Sequence, residues 1–198
     1  MFIPMATQGE RRAATRQRLL DAAAELFAER GVEGSSVDAI AERADRTSGA
    51  LYDHFGGKDG LLFALLDGWI DDVAVVIGAE LVTATTLDER LVSIWRNVSD
   101  PPTGDDRWIE LEHELWTYAV RNDAARDHLV QRYRAAWDGV DEAVAEWNEG
   151  GAQGVGAAVI GVLLGLQMMR RVDPAAMTDD LAIAALRGVV TTTTGAAR

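Results

Sequence analysis

Apolar residues recur at spacings of three and four along most of the chain, and the runs end at glycine, proline or short polar clusters. That period is helical. The first run, about Glu10 to Arg30, puts Leu19, Leu20, Ala23 and Phe27 on one face and stops at Gly31, a residue suited to a left-handed C-terminal position. Val37, Ile40, Ala41 and Ala44 repeat the pattern in a shorter helix. Ser35 or Ser36 can cap it, and Asp38, three residues after Ser35, completes a capping box. Only Ala44, Asp45 and Arg46 separate it from a third helix, which Thr47 can cap and whose apolar edge is Leu51 and Phe55. So short a break forces a steep crossing, and residues 36–55 read as a helix-turn-helix.

Six more helical stretches follow. A long one from about Lys58 to Leu81 is apolar on more than one side, with Trp69 near its middle. Thr86 and Glu89 form a capping box for a helix through Leu91, Ile94, Trp95 and Val98, and the run SDPPTGDD after it is a loop. Helices are expected from about Arg107 to Val120, from Asn122-Asp123 to Trp147, from Ala152 to Val172, and from Asp179 to Thr194 behind Thr178. No strand-like alternation or fixed-period repeat occurs. The pattern predicts an all-α fold of about nine helices, a three-helix head followed by a helical body.

The runs RQRLLDAAAELFAERGVEGSSVDAIAERA and LYDHFGGKDGLLFALL carry Phe27, Gly31, Ile40, Ala41, Leu51, Tyr52, Phe55 and Lys58 in a combination that resembles the N-terminal domain of TetR-type transcriptional regulators. The close match spans about Thr15 to Leu66; beyond it the agreement is in length, helicity and order of elements. The resemblance implies a DNA-binding domain at residues 1–57 and an effector-binding, dimerising domain at 58–198. It also implies DNA contacts from Thr47, Ser48, Gly49, Ala50, Tyr52, Asp53 and His54, and a phosphate contact from Lys58. Chemically, Thr47, Tyr52, His54 and Lys58 offer donors to phosphate, with Ser36 at the start of the preceding helix, while Ser48, Gly49 and Ala50 are small enough to approach base edges. Asp45 stands where the family's turn usually has glycine, and Arg46 where an apolar residue is usual. Asp tolerates a left-handed backbone at a cost of ~1 kcal/mol, and Arg46 gains reach toward phosphate or guanine. Asp53, a carboxylate facing a polyanion, either accepts from a cytosine amino group or pairs with Arg43 or Arg46.

Charge at first argues against a nucleic-acid partner, since the formal net charge is −13. It is unevenly spread. Residues 1–60 carry 8 basic against 10 acidic side chains, so the acidic load lies in the body. Arg11 and Arg12 read as a flexible basic arm, and with Arg16, Arg18, Arg46 and Lys58 they can form a local basic face. Without cysteine there is no disulfide or thiolate chemistry, which suits the cytoplasm. The opening MFIPMATQGERR holds no signal-like apolar run, and the apolar stretch from Val155 to Met169 is short for a membrane span.

All six tryptophans lie after residue 60. Trp69, Trp95, Trp108, Trp116, Tyr133 and Trp137 are candidate walls of an effector site, although aromatics at helical spacing also build cores. Glu112 falls within the apolar arc of Trp108, Leu111, Leu115 and Ala119. Desolvation penalises a buried carboxylate, so Glu112 either pairs with an arginine or faces a cavity. Glu110 and His113 match the Glu-x-x-His spacing of di-iron bundles, but that chemistry needs a second such motif. Gly154, Ala158, Gly161 and Gly165 slim one helix, as a close helix neighbour would require. The resemblance implies that this helix and the last, through Leu181, Ala185 and Val189, form a four-helix dimer interface. The expectation is a cytoplasmic, homodimeric repressor without cofactor, released from a palindromic operator by a small, largely apolar effector. The alternative is an all-α ligand-binding or di-iron enzyme with an incidental helix-turn-helix.

Overall fold

The computed structural model describes residues 7–100, 107–148, 151 and 153–192, with the backbone alone at positions 107, 108 and 110. Among them are nine α-helices: α1 Gln8–Arg30, α2 Val37–Arg43, α3 Ser48–Phe55, α4 Lys58–Leu81, α5 Leu87–Ser99, α6 Arg107–Ala119, α7 Asp123–Val144, α8 Val155–Val172 and α9 Asp179–Thr192. No strand occurs among the described residues. The expected caps at Thr47 and Thr178 and the box at Thr86 and Glu89 are present. Most of the SDPPTGDD loop, with Ala152 and positions 193–194, lies outside the described residues.

Three boundaries differ from expectation. Thr7 and Glu10 form a reciprocal capping box, so Arg11 and Arg12 belong to the first turns of α1 and are not a loose arm. The helix carrying the Val130–Trp147 seam ends at Val144, and a 3₁₀ turn, Ala145–Trp147, follows. Helix α8 begins at Val155, later than the expected Ala152, and ends at Val172 as expected; by length and composition it could cross a membrane, and within this chain 28% of it is buried.

The helices gather into two compact units, Met1–Ile70 with Asp106–Leu129 and Asp71–Asp105 with Val130–Arg198. In the first, α1 turns Leu19, Ala23, Leu26 and Phe27 inward against Ile40 and Ala41 of α2 and Leu51 of α3. Helix α6 packs on α1 and adds Leu111, Leu115 and Ala119. Burying each large aliphatic or Phe side chain is worth about 1.5–3 kcal/mol.

In the second unit the core is Leu91, Ile94 and Trp95 of α5, Val144 of α7, Val155, Val159 and Leu163 of α8, and Leu186 and Val190 of α9. The Trp95 ring N–H donates to Asp179 at 2.8 Å, and Arg170 lies 5.7 Å from the centre of the same ring. Arg90 donates to the Ala143 carbonyl at 2.7 Å and stands over Trp147. Helix α8 approaches α7 so closely at Gly156 that a Cβ there would fall 2.1 Å from the Trp137 carbonyl oxygen. The Gly156 N–H donates to Asp141 at 2.6 Å.

Gly156 and Gly139 therefore respond oppositely to alanine. Gly156→Ala forces two backbones apart and is expected to cost about 1–3 kcal/mol. Gly139→Ala, with no atom of the described residues within 4 Å of the added carbon, is expected to gain up to ~1 kcal/mol from helix propensity. Urea titration followed by circular dichroism measures both.

Candidate nucleic-acid interface

Helix α2 begins at Ser36, whose hydroxyl accepts from the Ala39 N–H at 3.1 Å. The expected box with Asp38 does not form. Asp38 instead accepts from the Ser48 hydroxyl at 2.5 Å, tying the start of α3 to α2. Ser35, the other capping candidate, is buried and points its hydroxyl at the Leu26 and Gly31 carbonyls. The turn after α2 is a Schellman motif: the Asp45 N–H donates to the Glu42 carbonyl at 3.0 Å and the Arg46 N–H to the Ala41 carbonyl at 2.8 Å. That motif needs a left-handed residue, and Asp45 supplies it with φ 54°.

Thr47 caps α3 by accepting from the Ala50 N–H at 3.2 Å. Leu51 is fully buried and Phe55 half-buried, which leaves Gly49, Tyr52 and Asp53 exposed and Ser48, Ala50 and His54 half-exposed. Tyr52 shows 56% of its surface. Arg46 folds back on its own turn, donating to the Asp45 carbonyl at 2.5 Å. Arg43 bonds Glu25 at 2.9 Å and Glu29 at 3.3 Å across to α1. Neither arginine is engaged with Asp53, so the ion-pair expectation for that carboxylate does not hold. His54 has its pKa pushed down, first by burial and then by the charges of Arg12 and Arg16; Asp53 pulls the other way.

Lys58 opens α4, and its ammonium group donates to the Val32 carbonyl at 2.8 Å, bracing the α1–α2 connection. Three further ties in this unit had no signal in the sequence. Glu114 of α6 reaches the Val32 N–H at 3.4 Å and lies so close over Gly31 that a Cβ there would come within 2.8 Å of its carboxylate. The Tyr118 hydroxyl donates to Asp59 at 2.7 Å, and Asn122 donates to the Tyr118 oxygen at 2.8 Å. Burial, then the Asp59 carboxylate, raises the Tyr118 pKa. His128 of α7 stacks on Phe63, 4.2 Å between ring centres, with Asp67 2.9 Å from its Nε2. The hydrogen-bonded partners from α6 and α7 to the head and α4 lie 59 to 82 residues apart in sequence, beyond the reach of any local pattern.

The predicted effector residues divide between the two units. Trp69 and Glu112, both buried, meet at a cavity of about 10 Å³ together with Leu62, Leu66, Leu111 and Leu115. That is room for about one water. Trp116 is 44% exposed, and the Trp108 side chain lies outside the described atoms. Trp95, Tyr133 and Trp137 belong to the second unit, where Trp95 is core and the other two rings meet at 6.4 Å. Of the dimer candidates, Gly154, Ala158, Gly161, Gly165 and Leu181 are exposed, and Ala185 and Val189 are half-buried. Among the described residues no three His, Cys, Asp or Glu side chains gather to hold a metal.

Residues 19–65, from the middle of α1 into α4, match the family of bacterial regulatory proteins named for tetR. The chain is 29% identical over 152 residues to the transcriptional repressor KstR2 of Rhodococcus jostii, covering 72% of this chain and 71% of that protein. It is 30% identical over 129 residues to the transcriptional repressor AcnR of Corynebacterium glutamicum, covering 65% of this chain and 59% of that one. The structure of Salmonella enterica GusR superposes with a TM-score of 0.75 at 22% identity, over 91% of this chain and 95% of that one.

The left-handed turn is open to direct test. Asp45→Val places a β-branched residue at positive φ and is expected to lower stability by about 1–2 kcal/mol. Asp45→Gly is expected to raise it by a few tenths to ~1 kcal/mol. Thermal melts of the two variants beside the parent decide the matter.

Proposed function

The chain belongs to the TetR family of helix-turn-helix, DNA-binding transcriptional regulators, and we propose that it is a repressor released from a palindromic operator by a small, largely apolar effector. The observation that carries this reading is α3. It is a short helix pinned on one side by Leu51, with Gly49, Tyr52 and Asp53 left open on the other. Residues 1–57 would bind DNA and 58–198 would bind effector and dimerise. Small Ser48, Gly49 and Ala50 suit close approach to base edges, with Arg46 and Asp53 beside them. Ser36, Thr47, Tyr52, His54 and Lys58 suit phosphate. Lys58 would reach a phosphate only by leaving the Val32 carbonyl, and Arg46 a base only by leaving its own turn. Nothing in the site favours the enzyme alternative, and the protein would act in the cytoplasm.

Homodimerisation through α8 and α9 is supported by glycine that no described part of the chain needs. Among the described residues a Cβ at Gly161 or Gly165 would meet no atom within 4 Å, yet each glycine costs its helix about 1 kcal/mol. A second copy closing on that face would explain both the glycines and the apolar surface around them, including Leu181. The apolarity of α8 then belongs to an interface rather than a span. If so, Gly161→Leu yields a monomer by analytical ultracentrifugation and abolishes tight operator binding, because two half-sites about 34–36 Å apart need a linked pair of heads. A variant that stays dimeric would place the interface elsewhere.

The effector would open the small cavity at Trp69 and Glu112, since about 10 Å³ holds no organic molecule. One wall of that cavity is α4, whose first residues hold the head through Lys58 and Asp59. A buried carboxylate beside an indole suits a lipophilic cation or donor, with ~0.5–2 kcal/mol from cation–π attraction. Glu112→Gln should leave operator binding unchanged while weakening the response to cationic amphiphiles roughly tenfold or more. Tryptophan fluorescence with cationic, neutral and anionic amphiphiles reads this out. A large fall in melting temperature with no charge preference would assign Glu112 to a structural ion pair instead.

A further inference from the structure

The stripe of α1 that buries Leu19, Ala23, Leu26 and Phe27 continues toward the N-terminus as Arg16 and Arg12. Steps of four and three residues keep all six positions on one face of the helix. A core-facing stripe calls for apolar residues, and at these two turns it carries arginine. They stand beside the end of α3. The Arg16 guanidinium lies 5.3 Å from the centre of the Phe55 ring, and that ring is tilted against the His54 imidazole at 6.0 Å between centroids. The charges of Arg12 and Arg16 both reach His54. Among the described residues neither arginine is ion-paired with a carboxylate. Two guanidinium groups thus stand near an imidazole at the edge of the exposed face of α3, and Asp53 is the carboxylate that acts on that imidazole.

We propose that Arg12, Arg16 and His54 form a phosphate clamp that grips the operator backbone beside the base-reading end of α3. The clamp rests on the DNA-binding reading and adds α1 to the surface that touches DNA. Guanidinium groups present paired donors that match phosphate oxygens, and stacking on Phe55 holds Arg16 in place before DNA arrives. Such contacts strengthen binding without reading sequence. The clamp also couples DNA binding to a proton. In the free protein, burial and the two arginines disfavour protonated His54, while Asp53 from α3 is the carboxylate that favours it. A phosphate placed among the three groups reverses that balance. His54 then takes a proton from solvent as the complex forms, and affinity rises as pH falls from about 8 to about 6.

The test uses a duplex selected by the wild-type protein from a random-sequence pool, with affinity measured against KCl concentration and pH. The Arg12→Gln/Arg16→Gln double variant is expected to bind roughly tenfold or more weakly at physiological salt. The slope of log affinity against log salt should fall by about 0.9 for each phosphate no longer neutralised. Base preferences should be unchanged, and Arg18→Gln, on another side of α1, should keep the full slope. Arg16→Lys, which keeps the charge, should hold most of the slope and guards against a folding defect. His54→Gln should flatten the pH dependence. An unchanged salt slope in the double variant, or an unchanged pH dependence in His54→Gln, would overturn the clamp while leaving DNA binding in place. A wild-type protein that selects no duplex would overturn the DNA-binding reading and the clamp with it.

Discussion

An eight-residue helix cannot hold itself together in water, where isolated helices of fewer than about 12–15 residues are marginal even with favourable composition. Helix α3 is that short, and its order is borrowed. Leu51 anchors it in the core formed by α1 and α2, Thr47 satisfies an open N–H at its start, and Ser48 is tied back to Asp38. Gly56 in a left-handed conformation ends it and lets the chain turn into α4. Because all this support comes from one side and from the ends, the outward side is free to carry residues chosen for a partner. The turn before it is under the same constraint. Two hydrogen bonds of the Schellman motif need positive φ at the residue that follows Ala44, and the chain meets that need with aspartate rather than glycine.

Helix α6 and the first residues of α4 meet at the connection between α1 and α2. Glu114 covers Gly31 and reaches the Val32 N–H, Lys58 holds the Val32 carbonyl, and Tyr118 holds Asp59 one residue on. These hydrogen bonds are each worth about 0.5–1.5 kcal/mol net. Several acting on one short segment can outweigh the few kcal/mol that separate two conformations of a regulator. The same α4 and α6 wall the cavity at Glu112. A molecule wedged between Leu66 and Leu115 would therefore strain residues that also brace the head. Since the ties are polar and partly buried, they break as discrete events, which suits a two-position switch better than gradual bending.

Local rules made the helices legible: caps at Thr47, Thr86 and Thr178, glycine at position 31, and the apolar stripe of α1. Ser35 shows where such rules stop. It satisfies a capping pattern with Asp38, but burial beside Leu26 puts its hydroxyl to a different use, and Ser36 caps instead. Charge pairing was equally beyond the sequence. Arg43 had carboxylates within reach on two helices, and only the crossing of α1 and α2 selects Glu25 and Glu29 over Asp53. The outward side of α3 followed from Leu51 and Phe55. Aromatic spacing, by contrast, could not separate Trp69 at a cavity from Trp95 in a packed core, because both present the same period. Glycine in α8 has the same ambiguity: Gly156 is demanded by a neighbouring carbonyl, whereas Gly161 is demanded by nothing among the described residues.

The strongly acidic composition fits a DNA-binding role once distance and specificity are considered together. Beyond a Debye length of ~8 Å, charges elsewhere on the protein are largely screened from the DNA surface. Near an operator bound by α3, local arginines and lysine would set the field. What the excess of carboxylates reduces most is sequence-independent attraction, which is the electrostatic part of binding. A regulator must find one site among a vast number of competing non-specific ones, and occupancy depends on the ratio of the two affinities. Lowering the non-specific term while keeping base contacts raises that ratio. Asp53, on the exposed side of α3, fits the same logic. At a DNA surface it would repel phosphate in any wrong register and would be tolerable only where a donor such as a cytosine amino group met it. An acidic chain with a few well-placed cations thus gives up affinity everywhere except at the sequence whose donors and acceptors match.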